Sequence, residues 1–418
     1  MRKKVLMICY YFPPIGASGV TRSFEFAKLL PHFGWEPLVL TVRHSKDPWV
    51  VASLGEDPKG IRVERTVEWN LAGLADFLHG CCCRVARFFG KDLTRNFFRE
   101  YLCVPDSQMA WFSTIPARRL AGECDLIYAS CSPFSSSVSG AIVKRLTGRP
   151  LVVDFRDAWS LNPYAHFGRL HRAIISRLER IVLSTCDALI VNTDGAARLY
   201  ATVYPEYREK IVTIPNGYDV LTPVDRRTTG GEFQIMHVGS FYGSRSPDAL
   251  LECLAEIKKD DIVFVQVGGG FDSYERFREK VRIRIVPPVP REAALELMRE
   301  ASLLYLKQGW EPGVSEYIAV GAKTYEYLAT GLPILADVPP GDNGELVGKY
   351  ASAGYVVTSN ERTDLRHAVE MAYEARSGTR AAIHPEFAER FSRRELTRQL
   401  ADLLDGVTAR PRRNPVRT

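Results

Sequence analysis

At 418 residues the chain exceeds the size over which a single core keeps growing, which points to two domains of about 200 residues each. Its 46% hydrophobic and 25% charged residues are ordinary for a globular enzyme and exclude disorder. The net charge of +6 is modest, and the basic tail after Asp405 has no interleaved aromatic residues of the kind that stack bases, so nucleic acid is not expected as a partner.

The opening stretch MRKKVLMICYYFPPIG has a short apolar core broken by Pro13 and Pro14, unlike a signal peptide. No apolar run approaches the ~20 residues that span a bilayer. A cytoplasmic location is expected. The nine cysteines form no CxxC pair and are read as reduced, with neither a disulfide framework nor a metal site.

In chain order, Lys4 to Tyr10 has the length and apolarity of a strand, and YFPPIGASG follows as a loop. A helix with Phe24, Ala27, Leu29 and Leu30 on its apolar stripe ends at Gly34, and Pro37 to Val42 returns as a strand. A glycine loop between a first parallel strand and its helix lets an anion approach backbone N–H groups, which makes Gly16 and Gly19 candidate ligand-binding positions. Their spacing is not the GxGxxG fingerprint, and no acid ends the next strand, so a nicotinamide cofactor is not expected.

Residues 68–112 break the α/β rhythm with Leu, Phe and Trp mixed among Arg84, Arg87, Lys91, Arg95 and Arg99. Such a basic, amphipathic segment can lie on an anionic membrane surface; the alternative is an insertion whose apolar face packs on its own domain. The strand DLIYAS resumes the pattern, and the strand LVVDF ends in Arg156 and Asp157. Carboxyl ends of parallel strands face the ligand crevice, which makes Asp157 the candidate substrate-facing carboxylate, with Arg156 to orient it. The alternative is an internal Arg and Asp pair. His166 and His171 have no ligand partner at useful spacing. The first domain closes after the strand KIVTIPNGYD.

A linker over 219–232 precedes a second series of strands and helices that starts at Phe233. Its first loop carries Gly239, Ser240, Gly243 and Arg245, and the planar guanidinium of Arg245 suits phosphate oxygens. Later, KTYEYLATGLPILA reads as a short helix followed by a strand, with Lys323 and Glu326 three residues apart. Alone, that pair also fits a solvated surface ion pair. A long helix from Pro385 to Leu404 is expected to fasten the domains together, and a basic tail follows with Arg410, Arg412, Arg413 and Arg417.

The expected fold class is therefore α/β, with two Rossmann-like doubly wound domains: 1–218, carrying the insertion at about 68–112, and 233–384, with 385–418 as bridging helix and tail. The motifs YYFPPIGASGVTRSFEFAKLL, VVDFRDAW, IPNGYD, GSFYGSRSP and KTYEYLATGLPILA, in this order, resemble glycosyltransferase family 4 and its relatives in bacterial surface-polysaccharide assembly. The resemblance spans about residues 5 to 404 and implies the GT-B architecture, two such domains facing a central cleft.

It further implies transfer of a sugar from a nucleotide-diphosphate donor to a hydroxyl of a glycan or lipid-linked acceptor, with retention at the anomeric carbon and no cofactor. Arg245 matches the family's diphosphate cation, Glu326 its ribose-binding carboxylate, and Val289 the segment where the base is read. Gly16 and Gly19 would lie over the donor sugar and phosphates. With Gly239, Ser240, Lys323 and Thr324, these make up the expected donor site, and Asp157, Arg245 and Lys323 the expected catalytic set. The absence of a DxD motif argues against a metal on the diphosphate. Three departures stand out: Ile318 occupies the place of the family's first glutamate, leaving Glu311 or Glu316 as substitutes, Ser240 replaces the usual arginine, and Asp157 stands where a histidine is common. A nucleotide-sugar epimerase or a non-catalytic nucleotide-sugar binding protein of the same fold are the alternatives. The implied setting is the cytoplasm, with peripheral contact at the inner membrane face.

Overall fold

The computed structural model describes residues 2–16, 19–45, 60–93, 96–165, 168–219, 231–314, 317–377 and 381–410. Expectations placed on Arg95, His166, Glu316, most of the linker, and Arg412, Arg413 and Arg417 lie outside the described residues. The chain divides into two compact units, one formed by Met1–Pro215 together with the segment from Leu396 onward, the other by Asn216–Glu395.

The first unit is a seven-stranded sheet built from β1 (Lys3–Cys9), β2 (Trp35–Val42), β3 (Arg62–Thr66), β4 (Leu126–Cys131), β5 (Leu151–Phe155), β6 (Ala188–Val191) and β7 (Ile211–Thr213). Its order is β3-β2-β1-β4-β5-β6-β7, and every pair is parallel. Near-continuous apolar runs form β1, β2 and β4 because helices cover both faces of a parallel sheet. The strand order reverses between β1 and β4, so the loops after these two strands diverge and leave a crevice.

The second unit is a six-stranded parallel sheet in the order β10-β9-β8-β11-β12-β13. Its strands are β8 (Phe233–Val238), β9 (Ile262–Val267), β10 (Ile283–Val286), β11 (Leu303–Lys307), β12 (Ile334–Asp337) and β13 (Gly354–Val357). Here the reversal falls between β8 and β11, again beside the first strand. Both units are thus doubly wound α/β sheets, as expected.

The insertion folds as two helices, Leu71–Phe88 and Phe97–Leu102. Their shared core is small, with Ala72, Ala75 and Cys103 packed by Leu71 and Phe98. Among the described residues no helix is long and apolar enough to cross a membrane.

The long helix expected from Pro385 is instead two, Pro385–Arg390 and Arg393–Ala409. Tyr218 holds the break open by donating its N–H to the Phe391 carbonyl (3.2 Å) and accepting the N–H of Arg393 on its own carbonyl (3.2 Å). The Ser392 hydroxyl then accepts the N–H of Glu395 at 3.2 Å and starts the second helix. Phe387 and Phe391 join the core of the second unit, whereas Leu396, Leu400 and Leu404 join the core of the first.

Candidate functional site

In the second unit, β8 runs into the glycine loop, and the side chain that meets this loop is Lys323. Gly239 has φ of +113°, and a Cβ built there would lie 2.8 Å from the Lys323 Nζ. Gly268, with φ of +122°, is equally required, because its Cβ would press on the Gly239 carbonyl at 3.1 Å. The loop is fixed from below: the Gly239 N–H donates to Val267 (2.7 Å), and the Gln266 side-chain amide donates to the Gly239 carbonyl (2.6 Å).

Lys323 begins the helix Ala322–Leu328, and its Nζ lies 2.9 Å from Nε2 of His237, a buried residue of β8. The other ring nitrogen, Nδ1, lies 3.0 Å from the Tyr305 carbonyl. A carbonyl only accepts, so Nδ1 carries the proton, and Nε2 accepts from the lysine. Burial, with Lys323 and Arg245 nearby, holds the His237 imidazole well below its usual range, and hence neutral. Phe241 stacks on the imidazole at 4.1 Å and keeps it in plane.

The Lys323 ammonium is itself drawn down from 10.5 to about 7, by burial first and by Arg245 second, against an opposing pull from Glu326. Arg245 donates to the Tyr242 hydroxyl (2.5 Å), with its guanidinium over that ring at 4.7 Å. Two cations therefore converge on a glycine loop whose backbone can be approached closely. Ser240, next to Gly239, is exposed.

Lys323 and Glu326 serve different partners, and the surface ion pair considered from their spacing is replaced by two separate contacts. Arg291 donates to Oε1 of Glu326 from Nη2 (2.8 Å) and Nε (3.2 Å). It also pairs with Asp219 (2.7 Å), which in turn pairs with Arg393 (2.9 Å). Thr324 is buried and donates to Asn343 Oδ1 (2.7 Å), while Asn343 donates to Gln308 (2.9 Å), so its hydroxyl belongs to an internal network. Val289 is half-buried between β10 and the helix Arg291–Met298, packed on the core. Ile318 is buried, and Glu311 accepts from the Ser244 hydroxyl (2.8 Å).

In the first unit Gly16 is buried in the loop after β1, and Gly19 lies directly under Arg156. A Cβ on Gly19 would fall 1.4 Å from Nη1 of Arg156, so glycine is needed for the guanidinium to sit there. Arg156 donates to the carbonyls of Cys131 (3.0 Å) and Ser132 and lies over the Tyr11 ring (5.8 Å). It ties the loops after β1, β4 and β5 together, a role different from the expected orientation of Asp157. Asp157 is exposed, two residues beyond β5. The buried carboxylate of that strand is Asp154, paired with Arg22 (2.8 Å) and accepting from the Tyr128 hydroxyl (2.5 Å).

His237, Arg291 and Arg22 are the residues that sequence reasoning missed. A histidine inside the apolar run FQIMHV was a usable signal, since a polar side chain in a doubly covered strand needs a buried partner. Among the described residues, no group of three or more His, Cys, Asp or Glu side chains is placed to hold a metal ion.

The family model for the glycosyl transferase 4-like domain matches residues 19–217. A D-inositol 3-phosphate glycosyltransferase of Nocardia farcinica is 26% identical over 237 residues, 49% of this chain and 50% of that protein. The chain thus spans about half the length of the curated relatives it matches. Sucrose-phosphate synthase from Thermosynechococcus elongatus superposes with a TM-score of 0.68 at 15% identity, over 98% of this chain and 100% of that one. Anabaena HepE in complex with UDP gives 0.63 at 18% identity, over 97% and 100%. These likenesses show a shared fold.

Proposed function

We propose, from the premise that the chain has a GT-B fold with a glycosyl transferase 4-like domain at residues 19–217, that it moves a sugar from a nucleotide-diphosphate sugar to a hydroxyl acceptor. The observation that carries this reading is the pair of cations, Lys323 and Arg245, brought to the loop at Gly239. In glycosyl transfer the bond from the anomeric carbon to the diphosphate breaks, and negative charge grows on the departing oxygen. Preorganised donors aimed at such charge are typically worth ~3 kcal/mol each. Lys323, oriented by a neutral histidine, would supply the charge that Ser240 lacks, and Arg245 would clamp the diphosphate from the loop.

Glu326, whose carboxylate Arg291 holds, would receive ribose hydroxyls, and Gly16, Gly19 and Val289 are the further donor contacts of this proposal. Charge neutralisation by two side-chain cations supports a mechanism that does not require a metal on the diphosphate. Retention, and a place in polysaccharide or glycolipid assembly beside a membrane, belong to the same proposal. UDP sugars are the first donors to try, because HepE binds UDP. The test is a panel of labelled nucleotide sugars incubated with glycan and lipid acceptors, with and without Arg245→Ala. Label transfer that drops roughly a hundredfold in a folded Arg245→Ala protein is expected; transfer at the wild-type rate would sink the assignment.

A further inference from the structure

We propose that Asp219 and Arg393, one near each place where the chain passes from one unit to the other, are positioning residues for the donor. Through Arg291 they set the Glu326 carboxylate to receive two vicinal ribose hydroxyls, which makes the site selective for ribonucleotides over their 2′-deoxy forms. This rests on the glycosyl-transfer reading and names the donor class for it.

The chain leaves the first unit after Pro215 and returns to it at Leu396. Within the second unit, the outgoing segment 216–219 reaches the helix Ala322–Leu328 in three ways. Asn216 donates its side-chain amide to the Val320 carbonyl (3.2 Å), two residues before that helix starts. Tyr218 stacks on Phe387 (5.1 Å, 16°), and Phe387 stacks on Tyr325 (6.5 Å, 21°), the neighbour of Glu326. Asp219 pairs with Arg291 (2.7 Å), which holds Glu326 itself. The segment thus fixes the approach, the body and the acid of one helix.

The ionic path alternates in sign. Nε and Nη2, on one edge of the Arg291 guanidinium, donate to Oε1 of Glu326 (3.2 and 2.8 Å), and Nη1 meets Oδ2 of Asp219. The other oxygen of Asp219, Oδ1, meets Nε of Arg393 at 2.9 Å. A planar fork engaged on both sides is held in its plane, which a lysine at that place would not reproduce. Arg291 is also the first residue of its helix, where the dipole disfavours a cation, so its place depends on the two carboxylates that face it. The side chains of Arg291 and Asp219 are each 34% exposed, and ion pairs this open to water contribute little to folding. What the four alternating charges supply is direction.

That direction matters at Glu326. Its Oε1 is filled by the two Arg291 N–H groups, while Oε2 has no hydrogen-bond partner among the described residues. A carboxylate oxygen accepts two hydrogen bonds, which matches a vicinal diol. Lys323 stands three residues earlier, and its ammonium already feels the Glu326 charge. A carboxylate released by Arg291 would swing to that ammonium, since side chains three apart on a helix are neighbours, and both would then be lost to a ligand. A 2′-deoxyribose brings one hydroxyl to Oε2 instead of two, so it gains less from a carboxylate held in place.

The test is calorimetric titration of the full-length protein with UDP, GDP and ADP, each beside its 2′-deoxy and 2′,3′-dideoxy form. For the nucleotide that binds, the wild type should favour the ribo form over the dideoxy form at least about tenfold, with the 2′-deoxy form between them. Asp219→Asn and Arg393→Gln should each reduce that preference about threefold or more, while affinity for the dideoxy form stays within about twofold. In a Glu326→Gln background neither should change the preference further, because the path to the ribose is already cut. Arg291→Lys keeps the charge and loses the fork; it should show the same loss of preference, and it decides the matter if thermal unfolding shows that Asp219→Asn does not fold. Equal loss of ribo and dideoxy affinity in Asp219→Asn, an unchanged preference, or a loss that persists in the Glu326→Gln background would overturn the proposal and leave the transfer reading in place. So would a wild type that binds ribo and dideoxy forms alike. If none of the three diphosphates binds, the transfer reading falls and takes the proposal with it.

Discussion

A nucleotide sugar should bind this protein with uptake of a proton, because its diphosphate would meet a lysine that is mostly neutral above pH 7. Lys323 is drawn from 10.5 to about 7 by burial and by Arg245. One unit above that value, at pH 8, only about a tenth of the free protein would carry the ammonium. A diphosphate within reach restores the ordinary value, so about 0.9 proton should be taken up per donor bound at pH 8, and affinity should fall roughly tenfold for each pH unit from there to about 10. The diphosphate diester of a nucleotide sugar does not titrate in this window. His237 stays neutral throughout, since its own value is pushed well below 6.5.

Folding stability has the opposite pH dependence. A lysine with a depressed folded value penalises the folded state most below pH 7, and the penalty fades as pH rises from 7 towards 10.5. The assay is calorimetry at pH 8 in two buffers of different ionisation enthalpy, on wild type and on Lys323→Met. The variant should bind more weakly, show no proton uptake, and be more stable than wild type at pH 6. Enthalpies that do not depend on buffer in the wild type, or an uptake that survives in Lys323→Met, would refute the reasoning.

Gly239→Ala should cost about 1–3 kcal/mol in folding stability, from its positive φ, and should also displace the Lys323 ammonium, seen as a fall in nucleotide affinity beyond that of a Gly243→Ala control. Glu326→Gln should weaken nucleotide binding by calorimetry; because Arg291 keeps Asp219, the stability loss on thermal unfolding should stay near ~1 kcal/mol. Asp154→Asn should destabilise by ~3–5 kcal/mol in denaturant unfolding, since it leaves Arg22 buried without its carboxylate, even though Asp154 lies near the sequence motif that contains Asp157.

Much of the fold could be read from the chain, because apolar strand-length runs, glycine loops and helix stops are local signals. The run from Lys4 to Tyr10 became β1, and FQIMHV became β8, with the glycine loop directly after each. The site was legible in its elements and not in its pairings. Lys323 and Glu326 look like partners at a spacing of three, yet their contacts are His237 and Arg291, which lie far away in sequence. Which buried group meets which cation is decided by the stacking of β8, β11 and a helix, and no local pattern carries that. Arg156 is similar: its neighbour in sequence is Asp157, but the bare Cα of Gly19 gives it a seat among three loops. The break at Ser392 was within reach, since Ser392 and Glu395 have the Ser-x-x-Glu spacing that opens a helix.

The return of the chain to the first unit sets an order of assembly. Leu396, Leu400, Ala401, Leu404 and Val407 complete the core that begins with Val5 and Met7, whereas every residue of the second unit lies between those two segments. During synthesis the second unit can close its sheet as soon as residues 216–395 are out, but the first must wait with one side of its core uncovered until Leu396 to Val407 have followed. A chain stopped at Glu395 would keep both glycine loops and still leave the first unit exposed to aggregation, so a segment made only after the whole second unit secures the unit made before it.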